Sequence, residues 1–273
     1  MPILQKEQVI VFKSMPVDLS ELVGNFFPDS FPSAVVLPLN TIEILSEPTL
    51  QQWLHEEEMI QLANFSHKKR HREWLGGRLC AKQALFTCLN QQKASSCLPE
   101  HHQFRIATTE TGRPYFDQLE SVTFSMPAIS ISHSGEFATA MVSQTNCGID
   151  IQYSAENLHR VKERFCTEEE EHLLQQSLSH LSPLLQLTFL WSGKEAVKKM
   201  LSPYGIPGFH ELHLQKIEQR GQSSAIMHFM RNDRSGSIFP VVVGIYNSSY
   251  ALALCCQQGK PPLSTTNKRT KNA

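Results

Sequence analysis

Hydrophobic and polar residues follow two different periods along the chain, and their order predicts strands and helices that alternate twice. Runs rich in β-branched residues at 8–12 and 33–39 predict strands near the start. The period becomes helical from Thr49 to about Gln91, with an interruption near 63–66 that separates two helices. Shorter strand patterns follow at residues 104–116, 128–134, 135–143 and 147–152.

A helical region and four more strands are expected in the second half. Thr167 and Glu170 have the spacing of a capping box, and a longer helix is predicted from Ser182 to Leu201. The strand patterns that follow cover residues 209–215, 223–229, 238–246 and 250–256. Because the same order of elements occurs twice, the sequence predicts an α+β fold of two similar α/β lobes, with an active site in the groove between them.

The predicted boundary between the lobes lies within Gln144–Ile151, where the second round of elements begins. We therefore assign residues 1–143 to an N-terminal lobe and residues 144–257 to a C-terminal lobe that carries the candidate chemistry. Residues 258–273 are polar and contain prolines, so we expect a disordered tail there.

The composition is that of an ordinary globular protein. Of the 273 residues, 41% are hydrophobic and 19% are charged, which argues against a disordered chain. The 25 basic and 26 acidic residues give a net charge of −1, so charged partners such as nucleic acid or a membrane surface would have to meet local patches. No apolar run approaches the ~20 residues of a membrane-spanning helix, and we expect no signal peptide.

The cysteines are odd in number and lack the spacing of a metal site. They are Cys80, Cys88, Cys97, Cys147, Cys166, Cys255 and Cys256. No CxxC pair occurs among them, so reduced thiols in a cytoplasmic protein are favoured over a disulfide framework or a zinc site.

The helix around residues 188–200 carries an unusual set of side chains away from its core side. At 100° per residue, its apolar stripe consists of Phe189, Gly193, Ala196, Val197 and Met200. Trp191, Glu195 and Lys199 share another face. A Glu–Lys pair four residues apart is often only a solvated pair, but a tryptophan beside it indicates a contact surface.

An aspartate interrupts one of the short strands. Alternation in the sequence GIDIQ sends Ile149 and Ile151 to one side and Gly148 and Asp150 to the other. Because aspartate is disfavoured within strands, Asp150 either accepts hydrogen bonds from nearby backbone N–H groups or belongs to a functional site. Gly148 would leave room for a ligand to approach the backbone.

Imidazole and basic side chains form two further candidates. His133 lies between two serines near a turn, and a lone histidine in such a place is most often a surface residue. The basic run at residues 67–72 suits a solvated helix start, an anion site, an acidic protein partner or nucleic acid. The run is short and contains no aromatic residue, and only Trp74 follows it, which weakens the nucleic-acid interpretation.

Four blocks, taken in order, resemble the signature motifs of the Sfp-type 4′-phosphopantetheinyl transferases. The family pattern runs G-[KR]-P, (N/S)-(I/V)-S-H-S, G-[IV]-D-[IL]-E and W-x-x-K-E-x-x-x-K. The matching residues here are Gly112–Pro114, Ser130–Ser134, Gly148–Gln152 and Trp191–Lys199. The segment HREWLGGRL also resembles the Arg-bearing helix of the family's first lobe, so the resemblance extends from Arg72 to Lys199.

This resemblance implies a transferase of the holo-[acyl-carrier-protein] synthase type. Such an enzyme moves the 4′-phosphopantetheine arm of coenzyme A onto a serine of an apo acyl or peptidyl carrier protein. It needs Mg²⁺ and releases 3′,5′-ADP. The resemblance also implies two similar lobes with coenzyme A in the groove between them. We expect a monomer with neither nucleic acid nor a membrane as a partner.

The resemblance assigns roles to individual residues. Asp150 and Glu195 would be Mg²⁺ ligands, with Gln152 at the third ligand position. Glu195 would accept the proton of the serine hydroxyl and Lys199 would assist the leaving group, so Asp150, Glu195 and Lys199 are the expected catalytic residues. The residues expected to bind coenzyme A are Arg72, Arg113, Ser132, His133, Lys194 and Lys199.

Gln152 departs from the family pattern, in which many members have glutamate. Its carbonyl oxygen or a water would fill the third ligand position, and the negative charge of the metal site would be lower by one. Two alternatives stay open at this point. One is an inactive relative that binds coenzyme A or a carrier protein as a scaffold, and the other is an unrelated α+β protein that binds nucleic acid through the basic run.

Overall fold

A computed structural model describes residues 9–91, 99–117, 125–233 and 236–258, which contain seven α-helices and ten β-strands. The helices are α1 (Val17–Phe26), α2 (Glu47–Trp53), α3 (Glu56–Ala63), α4 (Lys68–Gln91), α5 (Asn157–Arg160), α6 (Glu168–Ser177) and α7 (Pro183–Leu201). The strands are β1 (Ser33–Pro38), β2 (Ile106–Thr108), β3 (Pro114–Phe116), β4 (Ala128–Ser134), β5 (Phe137–Ser143), β6 (Cys147–Tyr153), β7 (Leu212–Arg220), β8 (Ser224–Arg231), β9 (Ile238–Tyr246) and β10 (Tyr250–Cys256). Within these ranges we find no helix with the length and apolar character needed to cross a membrane.

The strands form three antiparallel sheets in the described part of the chain. Their orders are β1-β5-β4, β6-β10-β9-β8-β7 and β2-β3. Helix α4 covers β1 and β5, and helix α7 covers β6 and β10. This mixture of helices and antiparallel sheets confirms the predicted α+β class.

The arrangement of elements in the first half recurs in the second. The hairpin β4-β5 lies beside β1 under α4, just as the hairpin β9-β10 lies beside β6 under α7. A shorter helix precedes the long one in each half, namely α3 before α4 and α6 before α7. One buried hydrophobic cluster surrounds α4 and a larger one surrounds α7, so each long helix has its own core.

A buried lysine–glutamate pair anchors the two helices of the first half. The carboxylate of Glu58, in the first turn of α3, accepts the backbone N–H of His55 at 3.0 Å and that of Ile106 at 3.1 Å. Lys82 of α4, 24 residues later, donates to this carboxylate and to the carbonyl of Trp53 at 2.8 Å. Both charged side chains are buried, and their bonds connect α3 with the end of α2, with α4 and with β2.

The second half repeats these bonds with corresponding partners. Glu170 of α6 accepts the backbone N–H of Thr167 at 3.0 Å and that of Leu214 at 2.9 Å. Lys194 of α7, again 24 residues later, donates to Glu170 at 2.8 Å and to the carbonyl of Phe165 at 2.7 Å. The predicted capping box at Thr167 and Glu170 is therefore confirmed, and its glutamate also neutralises a buried ammonium group.

Three expectations about secondary structure need correction or fall outside the structure. Residues 9–12 form no strand, and only Lys13 makes a single bridge to Val36. The predicted two helices between residues 49 and 91 are three, because His55 caps a separate helix α3. Of the predicted tail at 258–273, residues 259–273 lie outside the described residues, and the Gln258 amide donates to the carbonyl of Phe26 at 2.8 Å.

Serine hydroxyls join the edge of one sheet to the edge of another. Strands β4 and β6 are edge strands of different sheets. The hydroxyls of Ser130, Ser132 and Ser134 accept the backbone N–H groups of residues 149, 151 and 153 at 3.1, 3.3 and 3.0 Å. The alternation of serines in β4 thus supplies the acceptors that the exposed edge of β6 would otherwise lack.

Replacement of Ser130 by alanine is expected to lower the free energy of unfolding by about 1–3 kcal/mol, because it leaves the buried N–H of Ile149 without an acceptor. The measurement is urea unfolding of the purified variant. Ser134→Ala is the matched control, since its bond to Tyr153 is exposed and water can replace the hydroxyl there. Equal losses in the two variants would contradict this account.

Candidate active site

Close packing between α7 and β6 fixes the frame of the site. Ser182 caps the helix by accepting the N–H of Leu185 at 3.3 Å, and the predicted apolar stripe of α7 is buried. A Cβ on Gly148 would stand 1.8 Å from the carbonyl oxygen of Ala196. Gly148 therefore makes room for the helix, which corrects the expectation that it makes room for a ligand.

Asp150 lies two residues along β6 on the same face, below Lys199. Its Oδ1 accepts from the Lys199 ammonium at 2.8 Å and from the Ser132 hydroxyl at 2.8 Å. Lys199 also donates to the carbonyl of Ile149 at 2.9 Å. The other oxygen, Asp150 Oδ2, is buried and has no hydrogen-bond partner among the described residues, so this carboxylate has an unused ligand position.

The surroundings of Asp150 act on its pKa in opposing directions. Burial raises the pKa of the carboxyl above its usual value, and the charge of Glu195 adds to this effect. The ammonium of Lys199 and the hydroxyl of Ser132 favour the carboxylate and oppose the rise. Because Lys199, which bonds Asp150, lies one turn after Glu195 on α7, the strand carboxylate and the helix carboxylate occupy the same region of the structure.

Glu195 lies one turn before Lys199 on α7 and lines a cavity of about 320 Å³. Its Oε1 accepts from the ammonium of Lys198 at 2.7 Å. The cavity is also lined by Arg113, Lys198 and Lys199. An open cavity with three cationic side chains around a carboxylate suits an anionic ligand that brings a divalent ion with it.

The residues present fit a hard divalent cation such as Mg²⁺. Asp150 offers the partnerless Oδ2, and Glu195 offers a carboxylate at the cavity wall. Gln152 follows on the same face of β6, where its amide nitrogen donates to the carbonyl of Tyr153 at 3.0 Å and leaves its own carbonyl oxygen available. Within the described ranges, no group of three His, Cys, Asp or Glu side chains has the arrangement of a metal site. Two carboxylates with an amide are donors that suit Mg²⁺, which keeps several waters.

Lys194 is placed away from this cavity, which corrects its predicted contact with phosphate. Its ammonium is fully buried against Glu170 and the carbonyls of Phe165 and Phe209. Burial lowers the pKa of Lys194, and the charge of Glu170 opposes that shift. All three hydrogen positions of the ammonium have acceptors, so Lys194 is a structural cation.

Arg72 also lies away from the other site residues, although the resemblance implied that it binds coenzyme A. Its guanidinium pairs with Glu43 at 2.6 Å on the side of α4 that faces residues 39–45. The helical turn before it presents Lys69 and Arg70 to a different cavity, of about 690 Å³, together with His133. The face of α4 that meets His133 is therefore not the face that carries Arg72.

His133 and the start of α4 form a basic cavity next to the first one. Nδ1 of His133 lies 3.5 Å from Glu73, and the Arg78 guanidinium lies 3.5 Å from the ring centroid of Trp74. Burial lowers the pKa of His133, whereas the charge of Glu73 raises it. Ile131 lines both cavities, so they are neighbours along β4.

Two cations of this basic cavity, Arg70 and Arg78, were not selected from the sequence. They flank Trp74 at a spacing of four residues, so the three side chains share one face of α4. That spacing was the signal that could have found them. Arg113, in contrast, was predicted and lines the 320 Å³ cavity, where it also donates to Asn146 Oδ1 at 2.9 Å.

Trp191 is half-buried in an aromatic cluster beside the site. Its ring centroid lies 5.0 Å from that of Phe165 and 4.7 Å from that of Phe209. The tryptophan on the non-core side of the helix therefore supports the segment around Phe209, which packs next to Lys198.

Comparison with known proteins gives two matches to this chain. The sequence pattern of the 4′-phosphopantetheinyl transferase superfamily matches residues 146–255. A protein of Acholeplasma laidlawii (strain PG-8A), named holo-[acyl-carrier-protein] synthase, is 30% identical over 89 residues, which are 33% of this chain and 72% of that protein. The superfamily match includes β6, α7 and most of β10, and thus both candidate metal carboxylates.

Proposed function

The chain belongs to the 4′-phosphopantetheinyl transferase superfamily, and we propose that it is an Sfp-type member that transfers the 4′-phosphopantetheine arm of coenzyme A to a serine of an apo acyl or peptidyl carrier protein. The observation that supports the proposal is that Asp150, whose Oδ2 has no partner among the described residues, bonds Lys199 of α7 one turn after Glu195, at a cavity lined by Glu195 and three cationic side chains. We further propose a Mg²⁺-dependent monomer that acts in the cytoplasm, in keeping with the free cysteines of the described residues.

The proposed reaction replaces the phosphoanhydride bond of coenzyme A by a phosphodiester bond to serine. The serine oxygen attacks the pantetheine-bearing phosphorus of the coenzyme A diphosphate, a new P–O bond forms, and the bond to 3′,5′-ADP breaks. Glu195 accepts the serine proton, and Lys199 holds the leaving phosphate and stabilises its negative charge. Asp150, Glu195 and Gln152 would hold Mg²⁺, which when bound neutralises charge on the diphosphate.

The phosphates and nucleoside of coenzyme A need cationic and polar contacts beyond the metal site. We assign these to Arg113, to His133 on β4, and to Lys69 and Arg70 at the start of α4, which replace Arg72 in this role. Ser132, which the resemblance also assigned to coenzyme A, is buried and uses its hydroxyl for bonds to Asp150 and Ile151. The support for this assignment is that Ile131 adjoins both cavities, so one extended ligand can contact both groups of cations.

Two similar lobes with coenzyme A in the groove between them form part of the proposal. The repeated order of elements and the two matched lysine–glutamate networks support it. In this interpretation the lobes are residues 1–143 and 144–257, and the serine contacts between β4 and β6 cross the boundary. The metal carboxylates both belong to the second lobe, while His133 and the basic cavity belong to the first.

The direct test is a transfer assay with coenzyme A, Mg²⁺ and an apo acyl carrier protein, followed by the intact mass of the carrier. We expect the carrier to gain the arm, and to gain nothing when EDTA removes the metal. Coenzyme A binding without transfer to either an acyl or a peptidyl carrier would instead support an inactive scaffold. Absence of both, with salt-sensitive binding of nucleic acid, would overturn the proposal.

Gln152→Glu is expected to strengthen Mg²⁺ binding by roughly three- to tenfold, because it adds a carboxylate to a site that has two. Isothermal titration of Mg²⁺ and the Mg²⁺ concentration for half-maximal transfer both measure the effect. Gln219→Glu makes the same charge change on an exposed part of β7 and is the matched control. An unchanged or weaker Mg²⁺ affinity in Gln152→Glu would refute the assignment of Gln152 to the metal.

A further inference from the structure

Each candidate metal carboxylate is already paired with its own lysine. Asp150 pairs with Lys199 at 2.8 Å, and Glu195 pairs with Lys198 at 2.7 Å. Lys199 belongs to the signature W-x-x-K-E-x-x-x-K, but Lys198 falls on a position where the signature fixes no residue type. Lys198 is therefore a feature of this chain that the signature does not explain.

The position of Lys198 is well defined by its neighbours. Its ammonium lies 3.7 Å from the ring centroid of Phe209, and its side chain is 17% exposed. The Phe209 ring packs against Trp191, and its carbonyl accepts from the buried Lys194 at 3.3 Å. The aromatic ring beneath Lys198 is thus anchored, and the ammonium is held at the wall of the 320 Å³ cavity.

The charges of this group predict what a metal ion would change. Two carboxylates and two ammonium groups sum to −2 + 2 = 0. If a divalent ion were held by both carboxylates, the lysines would lose these partners and the group would carry an excess of +2. Such an excess favours a diphosphate in the same cavity, where the released ammonium groups can donate to its oxygens.

On the basis of the proposed function, we infer that Lys198 is a further substrate-binding residue, one that pairs with Glu195 when the metal is absent and contacts a phosphate of coenzyme A when the metal is bound. In the first state, Lys198 competes with the divalent ion for Glu195. In the second, it stabilises the bound diphosphate. Metal and nucleotide therefore strengthen each other's binding, and Lys198 contributes to that coupling.

Lys198→Met tests this inference because methionine keeps an unbranched stem on Phe209 and removes the charge. Isothermal titration calorimetry gives the affinity for Mg²⁺ alone and for 3′,5′-ADP at saturating Mg²⁺. We expect Mg²⁺ to bind roughly three- to tenfold more tightly and 3′,5′-ADP roughly three- to tenfold more weakly than in the unmodified protein. Lys198→Arg, which keeps the charge, is expected to change either affinity by less.

Lys216→Met is the matched control. Lys216 also pairs with a glutamate, Glu218 at 2.8 Å, but it is an exposed residue of β7, so this variant changes the net charge equally without touching the cavity. Its two affinities are expected to equal those of the unmodified protein. A general effect of net charge would appear in both variants.

The opposite directions of the two changes separate a specific role from a structural one. If Lys198→Met lowers the affinity for both Mg²⁺ and 3′,5′-ADP, or changes neither affinity, the inference is overturned while the proposed function stands. If the unmodified protein binds neither Mg²⁺ nor 3′,5′-ADP, the proposed function fails and the inference fails with it. Thermal unfolding of each variant confirms that the compared proteins are folded.

Discussion

Glu195→Gln is expected to lower the rate of arm transfer by about 10²–10⁴-fold without unfolding the protein. Glutamine keeps the shape of the side chain but cannot accept the serine proton and adds no charge to the metal site. Glu195 is partly exposed at the cavity wall and pairs only with Lys198 among the ion pairs of the described residues, so its loss costs stability about 0–1 kcal/mol. Single-turnover transfer, measured by carrier mass at saturating coenzyme A, gives the rate.

Glu218→Gln provides the control for the Glu195 experiment. Glu218 is a similarly exposed, lysine-paired carboxylate in β7, outside the cavity. The Glu218→Gln variant is expected to transfer the arm at the same rate as the unmodified protein. If Glu195→Gln stayed within tenfold of that rate while still folded, Glu195 would not be the proton acceptor and the proposed mechanism would lose its central residue.

Lys194→Met is expected to lower the free energy of unfolding by about 3–5 kcal/mol, because it leaves the Glu170 carboxylate buried without its cation. Urea unfolding at neutral pH measures the loss. The double variant Lys194→Met/Glu170→Gln is expected to recover part of it, since the amide removes the charge and its oxygen still accepts the N–H of Leu214. Lys82→Met, in the corresponding network of the first half, is expected to cost less, because Arg78 still lies 3.5 Å from the Glu58 carboxylate.

The same variant separates the structural role of Lys194 from the phosphate contact assigned by sequence. A phosphate-binding lysine would raise the KM for coenzyme A and leave stability nearly unchanged. The buried pair predicts the reverse, with an unchanged KM for the folded fraction and a lower unfolding free energy. A stable Lys194→Met protein with a raised KM for coenzyme A would show that Lys194 contacts phosphate and is not a structural cation.

Much of the fold could be predicted from periodicity because the relevant segments are strongly patterned. β4, β5, β6 and α7 alternate or repeat with one apolar side, and the structure places them where the pattern predicted. Residues 9–12 are as rich in valine and isoleucine as a strand, yet they pair with no strand in the described part of the chain, and the only bridge next to them joins Lys13 to Val36. Composition alone cannot supply the partner that a strand requires.

The sequence also could not predict which basic residues of α4 face β4. Residues 67–72 are all polar, so no apolar stripe within the run fixes which of them face β4. The glycines that follow decide it, because a Cβ on Gly76 would meet Leu39 and one on Gly77 would meet Ile131. That packing sends Arg72 toward Glu43 and Arg70 toward His133.

Lys194 was misassigned because sequence shows a lysine inside a motif but not the depth at which it lies. The sequence predicted its partner Glu170 only as part of a helix cap. The spacing from Glu170 to Lys194 equals that from Glu58 to Lys82, but it indicates a buried ion pair only when the burial of both pairs is known. Asp150 and Glu195 were selected by resemblance, and their role as metal ligands stays a prediction; in the structure Asp150 bonds Lys199, which lies one turn after Glu195 on α7.

Ser132 makes two hydrogen bonds through one hydroxyl group, so a movement that affects one bond also affects the other. Its hydroxyl accepts the N–H of Ile151 across the junction of two sheets and donates its proton to Asp150. Sliding of one sheet edge past the other would therefore turn the aspartate as well. Motion at that junction would therefore also misalign Asp150, the candidate metal ligand, so the stiffness of the contact between the two sheets limits how precisely this carboxylate is oriented.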